Sequence, residues 1–273
     1  MLRALLISTA LLPALAAGLA RAPAAQAGGV EEMVHLEVLE GWRAQDGTHM
    51  AALRLRLAPG WKTFWRAPGD AGIPPRFALE PSENLAGLVP VWPTPEVFDV
   101  GGLRTIGYSR ELLLPLRVMP ERAGAPVRLE GRIEMGICSD VCVPATLALS
   151  ATLPAGGSPD IAIQTALIDV PYTPAEAGVT GISCSVAAVQ YGLGFRSEIA
   201  LPAMGGDETV VIETGDPLIW VAETQSWWEG GTLVTETEMS HADGPGVSLS
   251  PQDVRITVIG DGIAVEIDGC PAP

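Results

Sequence analysis

Leu53-Arg54-Leu55-Arg56-Leu57 alternates apolar and charged residues without a break. Successive side chains of a strand point to opposite faces, so this run places leucines on one side and arginines on the other, as a strand with one buried and one wet face requires. Outward from it the pattern recurs. In Met33–Glu40, Val34, Leu36 and Val38 share one face while His35 and Glu37 share the other. Leu112–Val118, Val127–Met135, Val210–Glu213, Leu218–Val221, Thr232–Glu238, Val254–Ile259 and Ile263–Ile267 read as further short strands. Turn-forming pairs separate them: Asp46-Gly47, Pro59-Gly60, Gly101-Gly102, Gly205-Gly206 and Asp261-Gly262. Many short strands broken by turns predict β-sandwiches. One short helix is expected over Ile161–Ile168, started by Ser158-Pro159-Asp160.

Composition agrees with a packed strand-and-turn protein. The chain has 273 residues, 48% of them hydrophobic, with 31 Gly and 24 Pro, which excludes a disordered acidic tail. Sixteen Lys and Arg stand against 32 Asp and Glu, for a net charge of −16. Lys62 is the one lysine. Nucleic-acid binding needs clustered cations to neutralise phosphates and is excluded on that ground. The charge is unevenly spread. Residues 28–157 hold 12 basic and 15 acidic residues, net −3, whereas 158–273 hold 2 basic and 17 acidic, net −15. The change falls at Pro154-Ala155-Gly156-Gly157-Ser158-Pro159, a linker-like run. Two β-sandwich domains in tandem are therefore expected, over 28–155 and 156–273. The acidity of the second favours solubility.

Residues 1–27 read as a cleaved secretory signal peptide. Arg3 supplies the positive start, Ala4 to Ala20 the apolar stretch, and Ala25-Gln26-Ala27 the small-x-small cleavage site. Pro13, Gly18 and the flanking Arg21 argue against an uncleaved anchor. No later run reaches 18 uninterrupted apolar residues, so a soluble mature protein is expected in an oxidising compartment where disulfides persist.

Four cysteines, at 138, 142, 184 and 270, allow three connectivities, and their spacing favours Cys138–Cys142 and Cys184–Cys270. Closing the 87-residue span from 184 to 270 contributes about 4.6 kcal/mol in the chain-entropy model, against about 2 kcal/mol for the five-residue span from 138 to 142. The long bridge is thus expected to be a structural staple. The short one contributes less, and strained or exposed disulfides are more often labile or catalytic. In Gly136-Ile137-Cys138-Ser139-Asp140-Val141-Cys142-Val143-Pro144 the flanking Gly136 and Pro144 and the β-branched residues favour strand–turn–strand over a helix. The two Cys would then face each other across a tight hairpin, within disulfide reach. Asp140 in the turn would raise rather than lower a neighbouring thiol pKa. Spacing alone leaves a redox pair and a structural clip evenly matched.

The run Gly60-Trp61-Lys62-Thr63-Phe64-Trp65-Arg66 through Pro68-Gly69-Asp70-Ala71-Gly72-Ile73-Pro74-Pro75 resembles the amino-terminal periplasmic domain of the thiol:disulfide interchange protein DsbD, in the version found in DsbD-like and ScsB-like proteins. The resemblance continues through Trp92-Pro93-Thr94-Pro95-Glu96, Ile106-Gly107-Tyr108 and Leu114-Pro115-Leu116 and ends at Cys138-Ser139-Asp140-Val141-Cys142-Val143-Pro144, covering Val30 to Leu153. It implies an immunoglobulin-like sandwich in the periplasm whose Cys138 and Cys142 form a redox pair, with Cys142 making the mixed disulfide with partners. It further implies a membrane-embedded thiol/disulfide transporter as electron donor, a thioredoxin-like periplasmic protein as acceptor, and no cofactor or metal. Asp99 falls near an acidic residue of the family's cap loop, where it could manage protons. Phe98, Tyr108 and Trp65 are candidates for capping or shielding the disulfide.

Two departures stand out. Well-known members separate their cysteines by five residues rather than three, and Gly101 and Gly102 replace the shielding aromatics. Those members also continue into a transmembrane segment and a thioredoxin domain that this sequence lacks, so a relay here is expected to draw electrons from a separate membrane protein. Two other functions fit the composition. One is a binding or adaptor module with two structural disulfides. The other is a copper(I) chaperone using Cys138, Cys142, Met135 and a histidine.

Overall fold

The structure is a computed structural model that describes residues 29–100, 102–244 and 249–270. The signal peptide expected over 1–27 and its cleavage after Ala27 lie outside the described residues, as does Gly101. The described chain is all-β. After a single helical turn, α1 (Val30–Met33), come β1 (Val34–Arg43), β2 (His49–Leu57), β3 (Lys62–Gly69), β4 (Arg76–Leu79) and β5 (Leu85–Pro90). Then follow β6 (Glu96–Val100), β7 (Leu103–Ser109), β8 (Glu111–Pro120), β9 (Val127–Cys138) and β10 (Cys142–Leu153). The helix α2 (Ile161–Ile168) precedes β11 (Gly181–Val189), β12 (Gly192–Ala200), β13 (Thr209–Glu213) and β14 (Ile219–Val221). The chain closes with β15 (Gln225–Glu229), β16 (Thr232–His241), β17 (Arg255–Gly260) and β18 (Ile263–Asp268).

These strands form four antiparallel sheets. The first has the order β1-β2-β8-β5, and the second β10-β9-β3-β7-β6 with β4 paired to β9. The third has the order β11-β12-β16-β14 with β15 paired to β16, and the fourth β13-β17-β18. The alternation that opened the sequence is realised in β2: Leu53 and Leu55 are buried and Arg56 is exposed opposite His35. Leu53, Leu55, Leu112, Leu114 and Leu116 of the first sheet pack on Trp65, Ile106, Tyr108, Ile133, Ile137 and Leu149 of the second in one core. Phe195, Ile199, Leu233 and Met239 of the third sheet likewise pack on Val210, Ile212, Ile256, Val258 and Ile267 of the fourth.

Helix α2 spans the residues expected of it, and the Asp160 carboxylate accepts hydrogen bonds from the Ala162 and Ile163 N–H groups at its start. The Gly/Pro-rich run before it lies against the first sheet, where Arg43 N–H donates to Gly156 O. Contacts also bridge the two sheet pairs. Ile259 and Ala264, of the fourth sheet, belong to the first core. Arg66 of β3 forms a two-pronged bond to Glu213 of β13 (3.0 and 2.9 Å) and a further ion pair with Glu266 of β18. The segment around Trp61 and Trp65 reads from its glycines and prolines as turn, but Lys62–Gly69 is a strand. Tertiary burial of Phe64 and Trp65 overrides the local turn chemistry there.

Candidate functional site: a disulfide at a hairpin tip

Cys138 ends β9 and Cys142 begins β10, directly opposite each other in the ladder. A disulfide joins them, with the Cα atoms 4.1 Å apart. The turn between them is closed by Ser139 N–H donating to Val141 O. This is the strand–turn–strand geometry expected from Gly136 and Pro144. Pro144 is tolerated because β10 is the outermost strand of its sheet.

Alternation fixes which face carries the disulfide. Ile133, Met135 and Ile137 of β9, with Ala145, Leu147 and Leu149 of β10, point into the core. Cys138 and Cys142, being one residue out of step, lie on the outer face. Gly136 shares that face, and its missing side chain admits two neighbours. A Cβ there would stand 2.8 Å from Phe64 Cε2 and 2.9 Å from Ile73 Cβ. Phe64 thus packs over the sheet just below the disulfide.

The two sulfur-bearing residues are unequal. Cys138 is 6% exposed, whereas Cys142 is exposed and follows Val141, which is 65% exposed. Three clefts, of about 840, 740 and 720 Å³, are lined by other residues. The disulfide sits at the tip of the β9–β10 hairpin with its Cys142 end exposed.

Lys62 is the neighbour that sequence reasoning left unassigned. It opens β3 and is the ladder partner of Cys138 on one side and of Ser109 on the other. Its ammonium lies 3.9 Å from the centre of the Phe98 ring. The structure thus brings Phe98, on β6, to the residue beside Cys138. No sequence signal gives this pairing, because ladder register between β3 and β9 is a long-range property.

The other proposed site residues lie elsewhere. Asp99 follows Phe98 on the strand, so its side chain leaves the opposite face. It is exposed, and its carboxylate accepts from Gly102 N–H at 3.2 Å within its own hairpin. Tyr108 and Trp65, the other cap candidates, lie away from the disulfide. They occupy inward positions of β7 and β3, 5% and 0% exposed, in the core on the far side of the sheet from the disulfide. The Tyr108 hydroxyl donates to Pro93 O at 2.9 Å and its ring stacks on Trp92. Burial holds its ionisation well above the ordinary tyrosine range. Met135 is also inward-facing, so the ligand set imagined for copper is split across the sheet.

The second disulfide joins Cys184 of β11 to Cys270, just after β18. Both ends are buried, 2% and 1% exposed, within the second core. The molecule thus contains one disulfide sealed in a core and one with an exposed end.

Residues 35–154 match the family model described as thiol:disulfide interchange protein DsbD, N-terminal. That segment contains both Cys138 and Cys142. The crystal structure of the N-terminal periplasmic domain of ScsB from Proteus mirabilis has the same fold. The TM-score is 0.66 at 19% identity, over 90% of this chain and 96% of that one. The likeness therefore extends through both sheet pairs. No curated protein matches the chain.

Proposed function

We propose that the protein is a periplasmic thiol–disulfide relay whose redox centre is the Cys138–Cys142 pair. The observation that carries this reading is the unequal exposure of the pair at a projecting hairpin. An incoming thiolate can reach Cys142, while Cys138 is sheltered beside Lys62. A donor thiolate attacks the Cys142 sulfur, the bond to Cys138 breaks, and a mixed disulfide forms. The donor's second thiol resolves that intermediate, leaving the donor oxidised and the pair reduced by two electrons. The reduced pair repeats the exchange on an oxidised acceptor. The donor is a membrane-embedded thiol/disulfide transporter and the acceptor a thioredoxin-like protein.

In this reading the 1–27 signal exports the chain, and the match to a periplasmic domain supports the periplasm as its compartment. Among the described residues, no helix is long and apolar enough to cross a membrane. In this reading residues 28–155 form an immunoglobulin-like redox domain and 156–273 a second sandwich held by Cys184–Cys270. The buried ends of that second bridge support a structural role.

The test is covalent capture. Exported protein carrying Cys138→Ser leaves Cys142 unable to resolve a mixed disulfide internally, so thioredoxin-like or membrane redox partners should accumulate as reducible adducts. If no such adduct forms and the wild-type short disulfide resists dithiothreitol, the protein is instead an adaptor with two structural bridges.

A further inference from the structure

A buried sulfur that leaves as a thiolate needs a positive charge nearby, and Lys62 stands next to Cys138. Ladder partners on adjacent antiparallel strands project to the same face with Cβ atoms about 4.5–5.5 Å apart. The Lys62 side chain therefore starts beside the Cys138 sulfur. Among the described residues its ammonium makes no ion pair, and its recorded partner is the face of Phe98. The other charges near this face are bonded to other groups, lie further off or have the wrong sign. Glu134 of β9 is bonded to Arg132 at 3.0 Å. Glu96 of β6 accepts from Ser109 Oγ at 2.9 Å, although Ser109 is the residue opposite Lys62. Arg76 of β4 lies opposite Glu134, further down the strand. Asp140 in the turn has the wrong sign. Among the described residues, Lys62 is the cation that the ladder sets opposite Cys138.

We propose that Lys62 is the counter-ion of Cys138 when the disulfide opens: its ammonium, parked on the Phe98 ring in the disulfide form, turns to the departing Cys138 thiolate. The inference rests on the relay reading and deepens it. When a dithiol attacks the exposed Cys142 sulfur, the S–S bond breaks and its electron pair goes to Cys138. The lower the proton affinity of that leaving sulfur, the faster it leaves. The dithiol's second sulfur then displaces Cys142, so the dithiol ends as a disulfide. Its two protons are shared between Cys142 and solvent while Cys138 stays ionised beside Lys62. Lys62 acts through the sulfur and is a positioning residue, not a reacting one. Burial of Cys138 works against its ionisation, and the ammonium offsets that cost.

The test uses the full mature chain with Cys142→Ser, which leaves Cys138 as its single free thiol beside the intact Cys184–Cys270 bridge. Thiolate absorbance at 240 nm against pH gives the Cys138 midpoint directly. Adding Lys62→Gln should raise that midpoint by about one unit or more, as loss of an adjacent opposite charge does. Lys62→Arg, which keeps the charge, should restore it. In the chain with both cysteines, Lys62→Gln should slow reduction by dithiothreitol severalfold, because a leaving sulfur of higher pKa leaves more slowly. Midpoints for Gln and Arg within about 0.3 units of Lys62, with unchanged reduction rates, would overturn the role of Lys62 and leave the relay standing. A wild-type short disulfide inert to dithiothreitol would instead overturn the relay itself.

Discussion

Removing each disulfide in turn separates a bridge that holds the fold from one that does chemistry. In Cys184→Ala/Cys270→Ala the lost cross-link spans a sequence separation of 86 and ties β11 to the chain end after β18. Loop closure over that length contributes about 4.6 kcal/mol. Both ends are buried in the second core, so lost packing adds to the cost. In Cys138→Ala/Cys142→Ala the separation is 4, worth about 2 kcal/mol by the same model. The twelve-residue antiparallel ladder from Cys138/Cys142 to Val127/Leu153 already holds those ends together. The short-bridge variant should therefore lose about 2 kcal/mol or less, and the long-bridge variant at least twice as much. Urea unfolding followed by tryptophan fluorescence, with slopes compared between variants, reads both values. A short-bridge variant losing as much stability as the long-bridge one would show that Cys138–Cys142 is a clip and refute its assignment as the dispensable, reactive pair.

Three further outcomes follow from the geometry. Gly136→Ala puts a methyl 2.8 Å from Phe64 Cε2 and 2.9 Å from Ile73 Cβ, and overpacking of this kind should cost about 1–3 kcal/mol in urea unfolding. Tyr108 is neutral-stabilised in the fold, so the unfolded chain ionises first. Stability should be full below the ordinary tyrosine pKa near 10 and fall as pH rises above it, and Tyr108→Phe should flatten that part of the profile while losing about 1 kcal/mol at neutral pH with the bond to Pro93. Asp160→Ala removes the cap on α2 and should cost about 1 kcal/mol, measurable as a lowered urea midpoint.

What the sequence made legible was what local pattern controls. The alternation at Leu53–Leu57, the start of α2 at Asp160 and the hairpin from Cys138 to Cys142 all follow from neighbours within a few residues. β3 was hidden because Pro68, Gly69 and Gly72 mimic a turn, although Phe64 and Trp65 are locked by burial. The length of β10 beyond its first residues was hidden because Ala145-Thr146-Leu147-Ala148-Leu149-Ser150 is small and weakly patterned, although Ala145, Leu147 and Leu149 face inward. The site was legible in its cysteines and not in its surroundings. Which face Tyr108 and Trp65 occupy depends on the register of β3 and β7. Lys62 meets Cys138 only because β3 pairs with the end of β9, 74 to 76 residues away in sequence. Strand alternation by itself predicts that one of the adjacent Trp227 and Trp228 is buried, yet neither is, and their indole N–H groups donate to Glu229 and Glu208.

The most direct measurement is the reduction potential of Cys138–Cys142 in the wild-type chain. It is read by equilibrating the protein in graded dithiol buffers and counting free thiols after each step. A relay centre should open as a single two-electron step above about −300 mV, with Cys184–Cys270 still closed. A short disulfide that stays closed below about −300 mV, or that opens only as the long one does, would contradict the account.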